Sequence, residues 1–268
     1  MLAKRILTAL ILAPVVVLGT LFLSSPWFSL VIGLMTIVAS WEYCKLIKLG
    51  RFSNKSFYVI VILASAFLIA ISPSMLAPTL FITFAWWLVV LFLVINYPKS
   101  SSLLKNNMAI NLINGLFIFI PMTASLAILH SQERSFVLLL LLFVWAADSG
   151  AYFSGMRFGS KKLCPQVSPN KTFEGVYGGI FFAQVVAIGY VISAIQSPTS
   201  KDFLVFCFLA LVVTLFSVLG DLFESVLKRI NDQKDSGNIL PGHGGLLDRI
   251  DSLTASAPIF LLFMVFVL

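Results

Sequence analysis

Apolar stretches of about 16–22 residues follow one another along almost the whole chain, and that pattern leaves few folds open. A run of this length crosses the hydrocarbon core of a bilayer as a helix, because only a helix satisfies every backbone polar group within one segment. Nine such runs are predicted, at about residues 6–23, 27–47, 57–72, 79–96, 110–129, 136–156, 176–195, 203–224 and 252–268. The third and ninth are short, which predicts tilt, a kink or packing inside the bundle. Pro14 and Pro121 fall within runs, where neighbouring helices can satisfy the freed backbone groups. With 59% hydrophobic residues in 268, the chain carries more apolar surface than a soluble domain can hide. The expected fold is an all-α polytopic membrane protein of about nine transmembrane helices.

Charge placement predicts the orientation. Of the 18 Lys and Arg, all but Arg134 and Lys201 fall on the same side as the N-terminus when nine spans alternate. Basic loops stay in the cytoplasm, so the N-terminus is expected there and the C-terminus outside. A basic face of this kind attracts anionic lipid head groups, which accounts for the net charge of +7 without a nucleic-acid partner. Lys4 and Arg5 ahead of an apolar run look like the start of a signal peptide. The length of that run and the lack of an A-x-A site favour an uncleaved first span. Cys44, Cys164 and Cys207 are scattered and odd in number, a pattern that argues against disulfides and zinc.

Chemistry is distributed unevenly. Residues 1–135 read as a scaffold, access or oligomerisation half. In it Glu42 lies near the cytoplasmic end of the second run, where an interfacial ion pair with Lys45 or another nearby base is expected. Trp86 and Trp87 sit mid-span and are expected to pack between helices. Residues 136–268 read as the catalytic half, with nine of the eleven acids and three polar motifs on the predicted cytoplasmic side.

The first motif, Ala146 to Lys162, puts Asp148 inside an apolar run among small residues from Ala146 to Gly155. An intramembrane carboxylate needs a cation, a proton or a water-filled cavity. A tight helix contact around a protonated Asp148 is one reading; a site facing an aqueous cavity, with the small residues giving it a lateral opening, is the other. The second motif is Ser168 to Gly175. Lys171 offers a point charge to phosphate, and Thr172 at a helix N-cap with Gly175 can present backbone N–H groups to an anion or simply cap the helix. The third runs from the eighth span into a glycine-rich loop. Asp221, Glu224 and Ser225 share one helix face, Lys228 and Arg229 follow one turn on, and Lys234, His243, Gly244 and Gly245 lie in the loop. Asp248 and Asp251, with Arg249 between them, then open the last span. As ordinary helix-start acids they would need no further role. Yet Asp148, Asp221, Asp248 and Asp251 share one expected membrane depth. Converging carboxylates repel unless a divalent cation joins them, and oxygen ligands select Mg²⁺ or Mn²⁺. Glycines admit a phosphate chain to the backbone. His243 can serve as acid/base, phosphate donor or turn residue.

The run Ser225-x-Leu227-Lys228-Arg229, four residues, Lys234-Asp235-x-Gly237-x-x-Leu240-Pro241-x-His243-Gly244-Gly245-x-x-Asp248-Arg249-Ile250-Asp251 resembles the full signature of phosphatidate cytidylyltransferases, also called CDP-diacylglycerol synthases. The upstream DSGAY and SPNKTFEG are similar to further elements of that family, and the resemblance covers about residues 145–255. It implies that CTP and phosphatidic acid give CDP-diacylglycerol and pyrophosphate. It also implies Mg²⁺ dependence, a second cation such as K⁺, a cavity facing the cytoplasm and open to the bilayer, a homodimer, and residence in a bacterial inner membrane among its lipids. On that basis Asp148, Asp221, Asp248 and Asp251 are the expected metal ligands. Lys228, Arg229, Lys234, His243 and Arg249 are the expected catalytic groups. Lys171, Thr172, Ser225, Gly244 and Gly245 are expected to hold substrate phosphates. Two rivals are an ion or anion transporter, with Asp148 and Asp221 in the pathway, and a CTP-dependent lipid kinase.

Overall fold

The computed structural model describes residues 2–105, 107–239 and 244–267, with side chains from residue 11 onward. Ten helices follow in order: α1 (Leu2–Phe22), α2 (Ser25–Leu46), α3 (Phe52–Ile71), α4 (Pro73–Ile95), the short α5 (Ser101–Leu104), α6 (Met108–Gln132), α7 (Arg134–Phe158), α8 (Phe173–Ala194), α9 (Ser200–Ile230) and α10 (Leu247–Val267). Between α7 and α8 a two-stranded antiparallel hairpin forms, β1 (Lys162–Cys164) and β2 (Ser168–Thr172). Eight helices, α2 to α4 and α6 to α10, are long and apolar enough to span a membrane. The described side chains of α1 form a shorter apolar segment, Ile11–Phe22. The chain is an all-α integral membrane protein.

Local chemistry sets the helix ends. Asn107 accepts from Ile110 N at 3.1 Å to start α6, and Thr172 accepts from Gly175 N at 3.1 Å to start α8. Thr199 and Asp202 form a reciprocal capping box at the start of α9. The expected third and ninth runs prove longer as helices, 20 residues in α3 and 21 in α10, because each extends into the polar residues that hydropathy discounts. The 31 residues of α9 make it about 46 Å long, well beyond the hydrocarbon thickness, so it carries Asp221, Glu224, Lys228 and Arg229 on one rigid rod.

Packing joins the two halves of the chain. α10 packs against α9 and α7 and also against α6, α4 and α2. Trp87 is fully buried and lies with Trp86 against Phe223 of α9, while Trp86 stacks on Phe117 at 5.2 Å. Large apolar residues such as Phe57, Phe67, Phe81, Phe92 and Phe181 point outward, an arrangement suited to lipid and costly in water.

Small residues of the first motif make a close helix contact. α7 and α8 form the most extensive helix pair in the fold. A Cβ on Gly150 would stand 2.6 Å from the Gly178 carbonyl oxygen, and one on Gly179 would stand 2.8 Å from the Ala147 carbonyl oxygen. Backbone meets backbone there, as in other small-residue membrane interfaces. Gly150→Val should therefore lower the stability of the purified protein by about 2 kcal/mol or more, read as a fall in its thermal midpoint in detergent. An unchanged midpoint would show that the helices can separate at that point at no cost.

Candidate active site

A cavity of about 330 Å³ opens where α7, α9 and α10 converge. α7 contributes Asp148, with Leu141, Val144 and Trp145 forming an apolar wall; α9 contributes Asp221 and Lys228; α10 contributes Asp248, Arg249 and Asp251; and the loop before α10 adds Asp235. Acids from three separate helices thus line one space, as their common membrane depth predicts. Five carboxylates face two bases in the lining, an imbalance that favours a bound cation.

The carboxylates do not form a ready-made cage. Among the described residues, no three His, Cys, Asp or Glu side chains are arranged to hold one ion. The reason is visible in their partners. Asp248 Oδ1 accepts from Lys228 Nζ at 2.7 Å, while its Oδ2 accepts from Ser236 N at 3.0 Å, Ser236 Oγ at 3.0 Å and Gly245 N at 2.8 Å. Lys228 also reaches Glu224 Oε2 at 3.1 Å, and all three side chains of this group are largely buried. Asp221 Oδ2 is paired with Lys171 Nζ at 2.6 Å, and its Oδ1 accepts from Ser225 Oγ at 3.4 Å. Asp251 Oδ1 accepts from Ser252 N at 2.7 Å. Lysines therefore occupy carboxylate positions where a metal was expected. The donor set still fits a divalent cation. Mg²⁺ is usually held by one or two carboxylates together with substrate phosphates, so a complete protein cage is not required.

The remaining expected residues divide by position. Thr172 is buried and its hydroxyl is the N-cap of α8, so it positions the hairpin that carries Lys171. Arg229 Nε donates to the Val167 carbonyl at 3.2 Å and so ties α9 to the same hairpin, outside the cavity lining. Lys234 is exposed and also outside it. Gly244 has φ +82°, a backbone state that favours glycine, and a Cβ there would sit 2.6 Å from Asp248 Oδ2. His243 lies outside the described residues.

Four further groups shape the site. Glu224 shares the helix face of Asp221 and that spacing already marked it; here it is the second anchor of Lys228. Asp235 lines the cavity from within the motif. Ser236 lies inside the motif 12 positions from Asp248 but carries no charge to mark it, and the sequence marks Glu42 only as a local ion-pair partner, because its contact is 205 positions away. Glu42 is 1% exposed and accepts from Leu247 N at 2.9 Å, at the start of α10. Among the described residues it forms no ion pair with Lys45 or any other base, so the expected interfacial pair is replaced by a buried contact with the site loop.

The chain matches the cytidylyltransferase family over residues 3–267. It belongs to that family. Phosphatidate cytidylyltransferase of Haemophilus influenzae is 39% identical over 289 aligned positions covering 100% of both chains. The protein of the same name from Pseudomonas aeruginosa is 36% identical, with 97% of this chain and 96% of that one covered. The one from Thermotoga maritima is 34% identical, with 96% and 94% covered. In a cavity lined by acids and bordered by lysine and arginine, the acids can hold a cation and the bases can hold phosphate.

Proposed function

We propose that this chain transfers the cytidylyl group of CTP to phosphatidic acid, giving CDP-diacylglycerol and pyrophosphate. The observation that carries the reading is the single cavity lined by Asp148, Asp221, Asp248, Asp251, Lys228 and Arg249, four of them from the signature run. An oxygen of the lipid phosphate attacks the α-phosphorus of CTP. One P–O bond forms as the bond from that phosphorus to the bridging oxygen breaks, and pyrophosphate leaves. Both reactants are anions, so charge neutralisation and alignment carry most of the barrier. A phosphate monoester is largely ionised near neutral pH, its second pKa being about 6, so no strong base is needed.

Lys171 and Lys228 play the larger part in this reading. Each leaves a carboxylate partner for phosphate oxygens when substrate arrives, and Arg249 offers a bidentate fork. Asp221 and Asp248, so released, with Asp148 and Asp251 beside them, would hold Mg²⁺ or Mn²⁺ against the CTP phosphates. Such an ion supplies charge stabilisation on the leaving group. Gly244 lets the backbone come near the phosphate chain without a Cβ in the way, while the Gly245 N–H holds Asp248. A second cation such as K⁺, a homodimer, a cytoplasmic N-terminus and an active site on the cytoplasmic face of a bacterial inner membrane belong to the same proposal. The one-sided distribution of Lys and Arg supports that orientation.

The test is product labelling. Purified protein with phosphatidic acid, Mg²⁺ and CTP labelled at the α-phosphate should give labelled lipid, and CTP labelled at the γ-phosphate should give labelled pyrophosphate only. Label passing from the γ-position to lipid would make the protein a kinase. Arg249→Lys should lower turnover at least 10-fold in the same assay, since a point charge does not replace a planar fork. Equal activity would reduce Arg249 to a generic positive charge.

A further inference from the structure

We infer that Glu42, on a helix of the half that reads as scaffold, is a positioning residue for the transfer: it seats the glycine-rich loop from behind and thereby fixes Asp248 and Lys228. α2 packs against α10 and delivers the Glu42 side chain to the start of that helix. Its Oε2 accepts from Leu247 N at 2.9 Å, which places a carboxylate at the N-terminus of α10, where the helix dipole favours negative charge. Its other oxygen, Oε1, is buried without a hydrogen-bond partner among the described residues.

The same carboxylate fills the space in front of two loop glycines. A Cβ on Gly237 would run into Glu42 Oε1, with Cδ at 2.8 Å and Cγ at 3.2 Å; its three nearest atoms all belong to Glu42. A Cβ on Gly245 would run into Ser236 Oγ and lie 2.6 Å from Glu42 Oε2. These glycines flank the donors that fix Asp248. Ser236 gives its N–H and hydroxyl to Asp248 Oδ2, and Gly245 gives its N–H. Glu42 is thus the back wall of a layer whose front face is the cavity. It touches the loop on both sides of the segment 238–244, and only a residue without a Cβ fits against it at 237. Gly237 of the signature is explained by an acid about 200 positions away in sequence, and Gly245 by that acid together with Ser236, a coupling that the motif alone does not display.

Double-mutant kinetics in detergent, with phosphatidic acid, Mg²⁺ and α-labelled CTP, separates this role from simple support. Glu42→Ala should lower kcat at least 10-fold per folded molecule. Glu42→Gln, which keeps the shape and an acceptor for Leu247 N, should stay within about threefold of the parent. Gly237→Ala should lower kcat at least 30-fold in the parent chain and cost little more in the E42A background, where the space in front of residue 237 is open. A G237A penalty of equal size in both backgrounds would overturn the proposal. So would E42A at parental kcat, or an E42A loss confined to the yield of folded protein. Should E42A not accumulate, Glu42→Asp replaces it in the cycle. Shorter by one methylene, it withdraws from Gly237, and the same non-additivity is expected. If the parent chain lacks cytidylyl transfer altogether, the proposed activity fails before this cycle begins, so the two failures are distinguishable.

Discussion

Asp248→Asn is expected to lower CTP-dependent product formation at least 1,000-fold while leaving the protein folded in membranes. Asp248 is the meeting point of four donors: Lys228 on one oxygen, and Ser236 N, Ser236 Oγ and Gly245 N on the other. An asparagine of the same shape can offer its carbonyl to only one of these sets and must point an N–H₂ group at the other. A donor facing donors in a largely buried site costs the bonds and adds a desolvation penalty. A 1,000-fold loss of turnover corresponds to about 4 kcal/mol of lost transition-state stabilisation. The assay is α-label transfer to lipid, with thermal unfolding in detergent as the control. Turnover within 10-fold of the parent would remove Asp248 from the centre of the site.

The second large effect concerns Lys228. Its ammonium is held between Glu224 at 3.1 Å and Asp248 at 2.7 Å, and the side chains of all three are at most 12% exposed. Lys228→Met leaves two buried carboxylates facing each other without a cation. The expected stability loss is about 3–5 kcal/mol, together with turnover below detection. Adding Glu224→Gln removes one of the two charges, so K228M/E224Q should recover most of the lost stability and none of the activity. That split matters, because it separates the structural duty of the ammonium from its duty toward phosphate. Recovery of both by the double variant would mean that Lys228 serves the fold alone.

The fold was legible because hydropathy is a property of single segments. A run such as 110–129 needs no partner to declare itself, and α6 covers it. What hydropathy discounts is the polar end of a helix. The eighth apolar run covers about residues 203–224, yet α9 continues through Ile230, because Lys228 and Arg229 are good helix formers that a hydropathy pattern leaves out. The convergence of Asp148, Asp221, Asp248 and Asp251 was legible from their common depth, since helices that cross one membrane bring equal depths together.

Partners were not legible. That Asp221 faces Lys171, and that Asp248 faces Lys228, depends on side-chain directions that no spacing encodes. That the small residues around Gly150 lie against Gly178 and Gly179 depends on the position of α8, which no local pattern encodes. Glu42 was misread as an interfacial ion-pair partner for a similar reason. Its nearest bases in sequence suggested a local pair, whereas its actual neighbours lie in the loop before α10, brought there by the packing of α2.

The central claim is that the acids of this cavity and the phosphates of CTP complete one cation site together, neither being sufficient alone. Equilibrium binding of labelled CTP to the purified protein, with excess Mg²⁺ and with a chelator, measures it directly. Because Asp148, Asp221, Asp235, Asp248 and Asp251 line the cavity proposed for the triphosphate, CTP should bind at least 10-fold more tightly when the cation is present. Equal affinity in the chelator would contradict the claim.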